Sequence, residues 1–354
     1  MRVSVIINNY NYDRFVGCAI DSALQQSYEN VEVIVVDDGS LDGSLTVVRE
    51  YASAITLVAK TNGGQGSAYN SGFERATGEI VIFLDADDWL YPNAVAEVAA
   101  GWRAGASKVQ FRLALVNEKG EPLGRYVPRS MHDRDALKVL REFGTYGSPP
   151  GSGNAFASEF LQAVMPMDER IWQTAADTVP IMLAPMYGEV ISLAKTLGAY
   201  RLHRRTGEKE LLLNNAPQGL WQEFERIKST KGFVEAQLVQ RALPVRTPLL
   251  MAPWECRIIA MCIRFGGDAP DAAVPSASKL LWFTLVSIWR WPDWGWIRKF
   301  LLSGWTVSLL CMPSAVAQRL ALKHRLFTGQ ADTSAQVGSN RRRSTRSMGN
   351  STKR

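Results

Sequence analysis

Histidine and cysteine are both scarce in this chain: His132, His203 and His324, and Cys18, Cys256, Cys262 and Cys311, among 354 residues. The cysteines sit in apolar or helical surroundings without metal-type spacing. That excludes a disulfide framework or a cysteine-built metal centre, and fits reduced thiols in the cytoplasm. No secretory leader is expected, because the chain enters a strand-like run, Val3 to Ile7, almost at once. The polar loop after it, Asn8 to Asp13, lacks both glycine and lysine. A surplus of charge is missing from the body. From Arg319 onward there are nine Lys and Arg against one acid, which leaves 31 against 33 in the rest.

What the N-terminal third does contain is alternation. Apolar runs at Val3–Ile7, Val31–Val36, Ile55–Val58 and Ile80–Leu84 alternate with helical spacing, such as Phe15, Val16, Ala19, Ile20, Ala23 and Leu24. A further helix is expected from about Pro92 to Trp102. This order predicts an α/β fold, a Rossmann-like and mostly parallel sheet with flanking helices. Ligands of such sheets bind beyond the carboxyl ends of the strands. The unusual residues all fall there: Asn8 to Tyr12, Asp37 to Ser40, Asn62 to Gly66 and Asp85 to Asp88.

The last of these loops is the most telling. A buried strand that ends in Asp85-Ala86-Asp87-Asp88 places charge where it is costly unless compensated. A hard divalent cation, Mg2+ or Mn2+, would compensate it, as would exposure in a turn. Asp37 and Asp38 suit a base or ribose, though either Asp38 or Ser40 also suits a helix cap. Tyr10 and Tyr12 suit stacking on a base or packing in a half-buried position. Gly63, Gly64 and Gly66 permit close approach of backbone to a ligand.

Taken together, Val3 to Asn11, Asp37-Asp38-Gly39-Ser40, Asn62-Gly63-Gly64 through Gly72, and Leu84-Asp85-Ala86-Asp87-Asp88 resemble the family 2 glycosyltransferases. These are inverting enzymes of the GT-A fold that use nucleoside-diphosphate sugars. One departure is Asn8, where the family usually has proline. The resemblance implies a catalytic domain over residues 1–215, with a nucleotide-binding half (1–105) and an acceptor half (106–215). It assigns Asn9, Tyr10, Asn11, Asp37, Asp38, Gly63, Gly64 and Asp85 to the donor nucleotide, a UDP-sugar being favoured. It makes Asp87 the metal ligand, with His203 a second candidate. Asp177 takes the place of the catalytic base, and Ala176 replaces the glutamate that usually precedes it. Arg201, in Tyr200-Arg201-Leu202-His203, is assigned to the diphosphate. Trp172 is read as a sugar platform or a core residue. The acceptor is a carbohydrate or a lipid-linked sugar, as in envelope polysaccharide or glycolipid synthesis. The rival readings are a sugar nucleotidyltransferase, disfavoured by the missing basic glycine loop, and a catalytically idle membrane scaffold.

Residues 216–328 read as a helical extension and 329–354 as a disordered basic tail. Leu280 to Trp291 holds three tryptophans, and Phe300 to Gln318 carries no charge. Nineteen uncharged residues reach the lower range for a span, but serine, glycine, threonine, proline and glutamine dilute them. Tryptophans beside Arg290, Arg298 and Lys299 favour helices lying in the inner-leaflet interface, at the cytoplasmic face of the membrane. A soluble helical subdomain is the competing reading. Nothing beyond the basic tail resembles a nucleic-acid module.

Overall fold

The alternation seen in the sequence builds the first four strands. In the computed structural model, which describes residues 1–203, 216–265, 277–313 and 316–317, β1 (Val3–Asn9), β2 (Val31–Asp37), β3 (Thr56–Ala59) and β4 (Ile80–Asp85) are linked by α1 (Val16–Leu24), α2 (Ser44–Arg49) and α3 (Gln65–Arg75). They pair in parallel in the order β3-β2-β1-β4. Helix α1 turns Val16, Ala19, Ile20 and Ala23 inward. Each large aliphatic so buried contributes about 1.5–3 kcal/mol. Helix α3 lies so close to β1 that a Cβ on Gly72 would stand 2.4 Å from Ile6 Cγ2. One turn away Tyr69 stacks on Phe83 with ring centroids 4.0 Å apart.

Beyond β4 the strict alternation stops. The two-residue strand β5 (Trp89–Leu90) leads into α4 (Ala94–Gly101), then β6 (Ala106–Val116) turns directly into β7 (Pro122–Val127). Next come α5 (Ala136–Phe143), β8 (Asn154–Ala157), α6 (Ser158–Val164), α7 (Thr178–Leu183) and β9 (Glu189–Arg201). β8 runs antiparallel between β4 and β6 and so joins the halves, while β6 and β9 pair in parallel. The whole sheet reads β3-β2-β1-β4-β8-β6-β9-β5 with β7 on β6. The fold is the expected α/β, GT-A-type sheet with flanking helices. Its parallel register belongs to the first four strands and its second half is mixed.

Helix α8 (Ala216–Gln240) corrects the expected boundary at residue 215. The first compact unit runs from Met1 to Ala252. The buried Lys231 of α8 donates to the carbonyls of Phe143 and, at 2.9 Å, Leu250. Arg141 Nε donates to Pro244 O at 2.5 Å. A buried ammonium shared between carbonyls of α5 and the following segment fixes α8 in this unit, where charge alone had marked it as extension.

The second unit begins at Pro253. Its helices α9 (Pro253–Phe265), α10 (Ala277–Arg290) and α11 (Trp296–Cys311) pack on one another. Cys256, Ile259, Met261, Ile288, Trp291, Leu302, Trp305 and Leu309 are buried in this unit. Trp282, Trp289, Trp296 and Phe300 are exposed by 50–71%. No helix among the described residues is long and apolar enough to cross a membrane. The tail expected over 329–354 lies outside the described residues.

Candidate active site

Strand register brings the polar loops to one level. Asn9 of β1 lies beside Asp37 of β2, and Asn8 beside Asp85 of β4. Asn9 Nδ2 donates to Asp37 Oδ2 at 2.8 Å and to Ser40 Oγ at 3.1 Å. Ser40 N donates to Asp37 Oδ1 at 3.0 Å. Asn11, at φ +60°, receives the Leu41 N–H on Oδ1 at 2.7 Å. Asn9 and Asn11 thus tie the first loop to the second. Asp37 is buried but keeps acceptor capacity, since each carboxylate oxygen has two lone-pair directions. Tyr10 is 41% exposed.

Three of the donor-site candidates also have protein partners. Asp38 is buried, and it receives Lys60 Nζ (2.8 Å) and the N–H groups of Gly63 (3.0 Å) and Gly64 (2.8 Å). Its carboxylate therefore organises the glycine loop, and the amides of Gly63 and Gly64 point at Asp38. The approach these glycines permit is to protein. A Cβ on Gly63 would meet Ser67 Oγ at 2.6 Å, and one on Gly64 would meet Gln173 Cα at 2.7 Å.

At the end of β4 each carboxylate has a different environment. Asp85, half-buried, accepts from Asn8 Nδ2 at 2.9 Å. Burial, and then the charge of Asp87, push its carboxyl up to about 7. Asp88, fully buried, accepts from Ser152 Oγ at 2.6 Å and from Arg201 N at 2.9 Å. Burial, then Asp87 and Asp85, push it well above the ordinary carboxylate range. Asp87 Oδ2 lies 2.7 Å from His203 Nε2. The His203 ring packs edge-on against Phe15, 5.4 Å between centroids. Tyr12 packs beside it, its phenol pushed up to about 12 by burial and the neighbouring carboxylates.

Arg201 braces the acidic turn. Its Nε donates to Asp87 O at 2.8 Å and its Nη1 to Glu118 O at 2.9 Å. Its guanidinium lies 4.6 Å from the Phe15 ring centroid and 4.9 Å from that of Trp89.

Asp177 caps α7 and is half-buried. Burial raises its carboxyl above the ordinary value, against the opposing effects of the Thr178 and Gly151 N–H groups and the Arg226 charge. Its neighbour Ala176 is wholly buried. Gln65, a residue the sequence reading passed over, stands between this loop and the acidic strand. Its Oε1 accepts from Ala176 N at 2.9 Å, and its side chain lies near enough to Asp85 to oppose the rise of that carboxyl. Backbone bonds from Gln65 N to Gln173 O (2.9 Å) and from Gly66 N to Trp172 O (2.8 Å) complete the seam. Trp172 packs edge-on against Phe233 of α8 at 5.0 Å. Also overlooked were Ser152 and Lys108. Lys108 is fully buried and donates at 2.8 Å to Ser148 Oγ, in the proline- and glycine-rich loop 146–154. The only sequence signal for Ser152 was the density of proline and glycine around it.

Residues 4–149 match the family model described as glycosyl transferase family 2. Over this segment the chain is similar to glycosyl transferase family 2. An uncharacterized glycosyltransferase of Nostoc is 34% identical over 211 residues, 57% of this chain and 65% of its own. One from Rickettsia typhi is 46% identical over 93 residues, 26% of this chain and 29% of its own. The chain therefore spans less than two thirds of either relative. Among solved structures, Staphylococcus aureus TarS 1–349 is similar over 93% of this chain and 92% of its own, at 18% identity and a TM-score of 0.49.

The donor set at Asp87 and His203 fits a hard cation shared with a substrate. Among the described residues no group of three His, Cys, Asp or Glu forms a ready cage. Two protein ligands suffice for Mg2+ or Mn2+, which fill remaining positions with water and phosphate oxygens. Burial first, and then the neighbouring carboxylates, raise the carboxyls of Asp85 and Asp88; a bound cation would offset the second of these effects.

Proposed function

We propose that this chain is a metal-dependent, inverting glycosyltransferase that moves a sugar from a nucleoside-diphosphate sugar, a UDP-sugar by preference, to an acceptor hydroxyl. The observation that carries the reading is the nearness of the acidic strand end to the loop of Asp177, where Gln65 accepts from Ala176 N at 2.9 Å and the Asp177 charge acts on Asp85. It brings a donor-side carboxylate cluster and a single candidate base together. Asp37, Asn9 and Asn11 receive the nucleoside, with Tyr10 beside the base, and Asp85 receives the ribose. Asp87 and His203 hold Mg2+ or Mn2+. The cation, when bound, supplies Lewis-acid stabilisation of charge on the departing diphosphate. Asp177 accepts the proton of the acceptor hydroxyl. The acceptor oxygen bonds to the anomeric carbon as the bond to the diphosphate oxygen breaks, and the electron pair leaves with the nucleotide. One base carboxylate suits such a single displacement with inversion.

The second unit supports a place at the cytoplasmic face of a membrane. Its exposed Trp282, Trp289, Trp296 and Phe300 accompany Arg290, Arg298 and Lys299, the composition of an interfacial surface facing anionic lipid. A lipid-linked or envelope glycan acceptor follows from that placement.

The test is calorimetry with UDP-, GDP-, dTDP- and CDP-sugars, in Mn2+ and then in excess chelator, beside turnover of Asp177→Asn. Metal-dependent binding of one donor, kept in Asp177→Asn while turnover is lost, is the expected result. A folded protein that binds none of the four donors would exclude the reading.

A further inference from the structure

A groove of about 850 Å³ opens beside the loop of Asp177, between residues 163–183 and α8. Its volume lies in the upper range of small-molecule sites, larger than one sugar ring requires. Ala175 and Thr178, which flank Asp177, form its near end. Arg226 on its far wall is close enough for its charge to act on Asp177.

The two walls differ in chemistry. The loop side offers Met167, Ile171, Trp172 and Val179 beside the polar Asp168 and Thr174; the α8 side offers Arg226, Ser229, Thr230, Gln237 and Gln240, with Phe233 among them and Arg241 just beyond the helix. An aromatic and aliphatic wall opposite a row of hydroxyls, amides and guanidiniums matches a saccharide, whose ring has an apolar C–H face and a hydroxyl edge. The cations do not select an anion. Arg226 already makes two bonds to Glu223, at 2.6 and 2.8 Å. Arg241 is hydrogen-bonded to Gln237 at 2.8 Å and to Tyr187. A lipid chain would leave the polar α8 wall without partners.

We infer that this groove binds the neutral sugar units that precede the reacting hydroxyl, so that the acceptor is an oligosaccharide chain and not a single sugar or a bare lipid. The inference rests on the transfer reaction proposed above. The α8 wall lies beyond residues 4–149, the part that matches the family model.

The test uses the full chain and neutral gluco-, manno- and N-acetylglucosamine oligosaccharides of one to four units, with binding read by saturation-transfer NMR. Binding that strengthens with length is expected. Trp172→Ala should weaken it roughly tenfold, the worth of one aromatic platform. Ser229→Trp, which fills the groove from an exposed position, should abolish it while donor binding stays unchanged. Binding independent of length, binding unaffected by Ser229→Trp, or no oligosaccharide binding by a protein that binds its donor would each overturn the groove assignment. Oligosaccharide binding that meets these expectations without any donor binding would support the groove and overturn the transfer reading instead.

Discussion

Gly64→Ala tests whether the glycine loop serves the base loop or a ligand. Gly64 sits at φ +85° and ψ 175°, a region that is nearly glycine-only, and a side chain there costs about 1–3 kcal/mol. Its Cβ would also stand 2.7 Å from Gln173 Cα and 2.8 Å from Gln173 O. Both are backbone atoms that no rotamer change can move. Relief requires residues 172–173 to withdraw, which breaks the bonds to Gln65 N and Gly66 N, each worth about 0.5–1.5 kcal/mol. The expected loss is roughly 3–5 kcal/mol in urea unfolding, a large share of the about 5–15 kcal/mol typical of a domain. If the loop yields instead, stability falls less, turnover falls more, and donor affinity is kept because Asp37 and Asn9 are untouched. Gly232→Ala is the control. It lies within α8 with nothing inside 4 Å of its Cβ, and should gain about 0.5–1 kcal/mol. A Gly64→Ala protein that loses under about 1 kcal/mol with normal turnover would refute the reasoning.

Other outcomes follow from the same geometry. Catalysis needs Asp177 ionised, and its carboxyl is raised, so the acid limb of the pH–rate profile should lie above the ordinary carboxylate range; Arg226→Gln should move it higher still, less so in high salt. A carboxyl raised in the folded state adds stability only at low pH and loses it as pH rises through the folded value. Asp177→Asn should therefore raise Tm at neutral pH, and the gain should vanish in acid. Asp87→Ala should remove the metal dependence of donor binding seen by calorimetry, leaving a weak metal-independent component. Trp282→Ser combined with Trp296→Ser should reduce co-sedimentation with anionic vesicles while transfer to a soluble acceptor is preserved.

The parallel half of the fold was legible because β1, β2 and β4 are buried apolar runs that end in polar clusters, and burial sets both features. The second half was harder to read. β8 is only four residues long, β6 turns directly into β7, and α8 is held by Lys231, whose burial no composition reveals. The site divides along the same line. Asn9 bonds Asp37 across adjacent strands, and Asp87 lies 2.7 Å from His203. The protein partners of Asp38, Gly63, Gly64 and Arg201 were not legible, because a carboxylate, a flexible turn and a guanidinium suit a ligand and a neighbouring loop equally well. Only the partner decides, and here the partners are Lys60, Gln173 and the carbonyls of Asp87 and Glu118. Gln65 was missed because glutamine carries no charge and its value lies in reach.

That reach has a geometric consequence. An inverting displacement places the incoming oxygen and the outgoing oxygen on opposite faces of one carbon, so the gap between the two sides of the crevice must match the length of that three-centre line. Gln65 holds the segment before Asp177 with its carbonyl oxygen, and its side chain lies near enough to Asp85 to act on that carboxyl. It stands between the two sides. Shortening it to asparagine would alter the distance the nucleophile must cross while leaving every charged group in place.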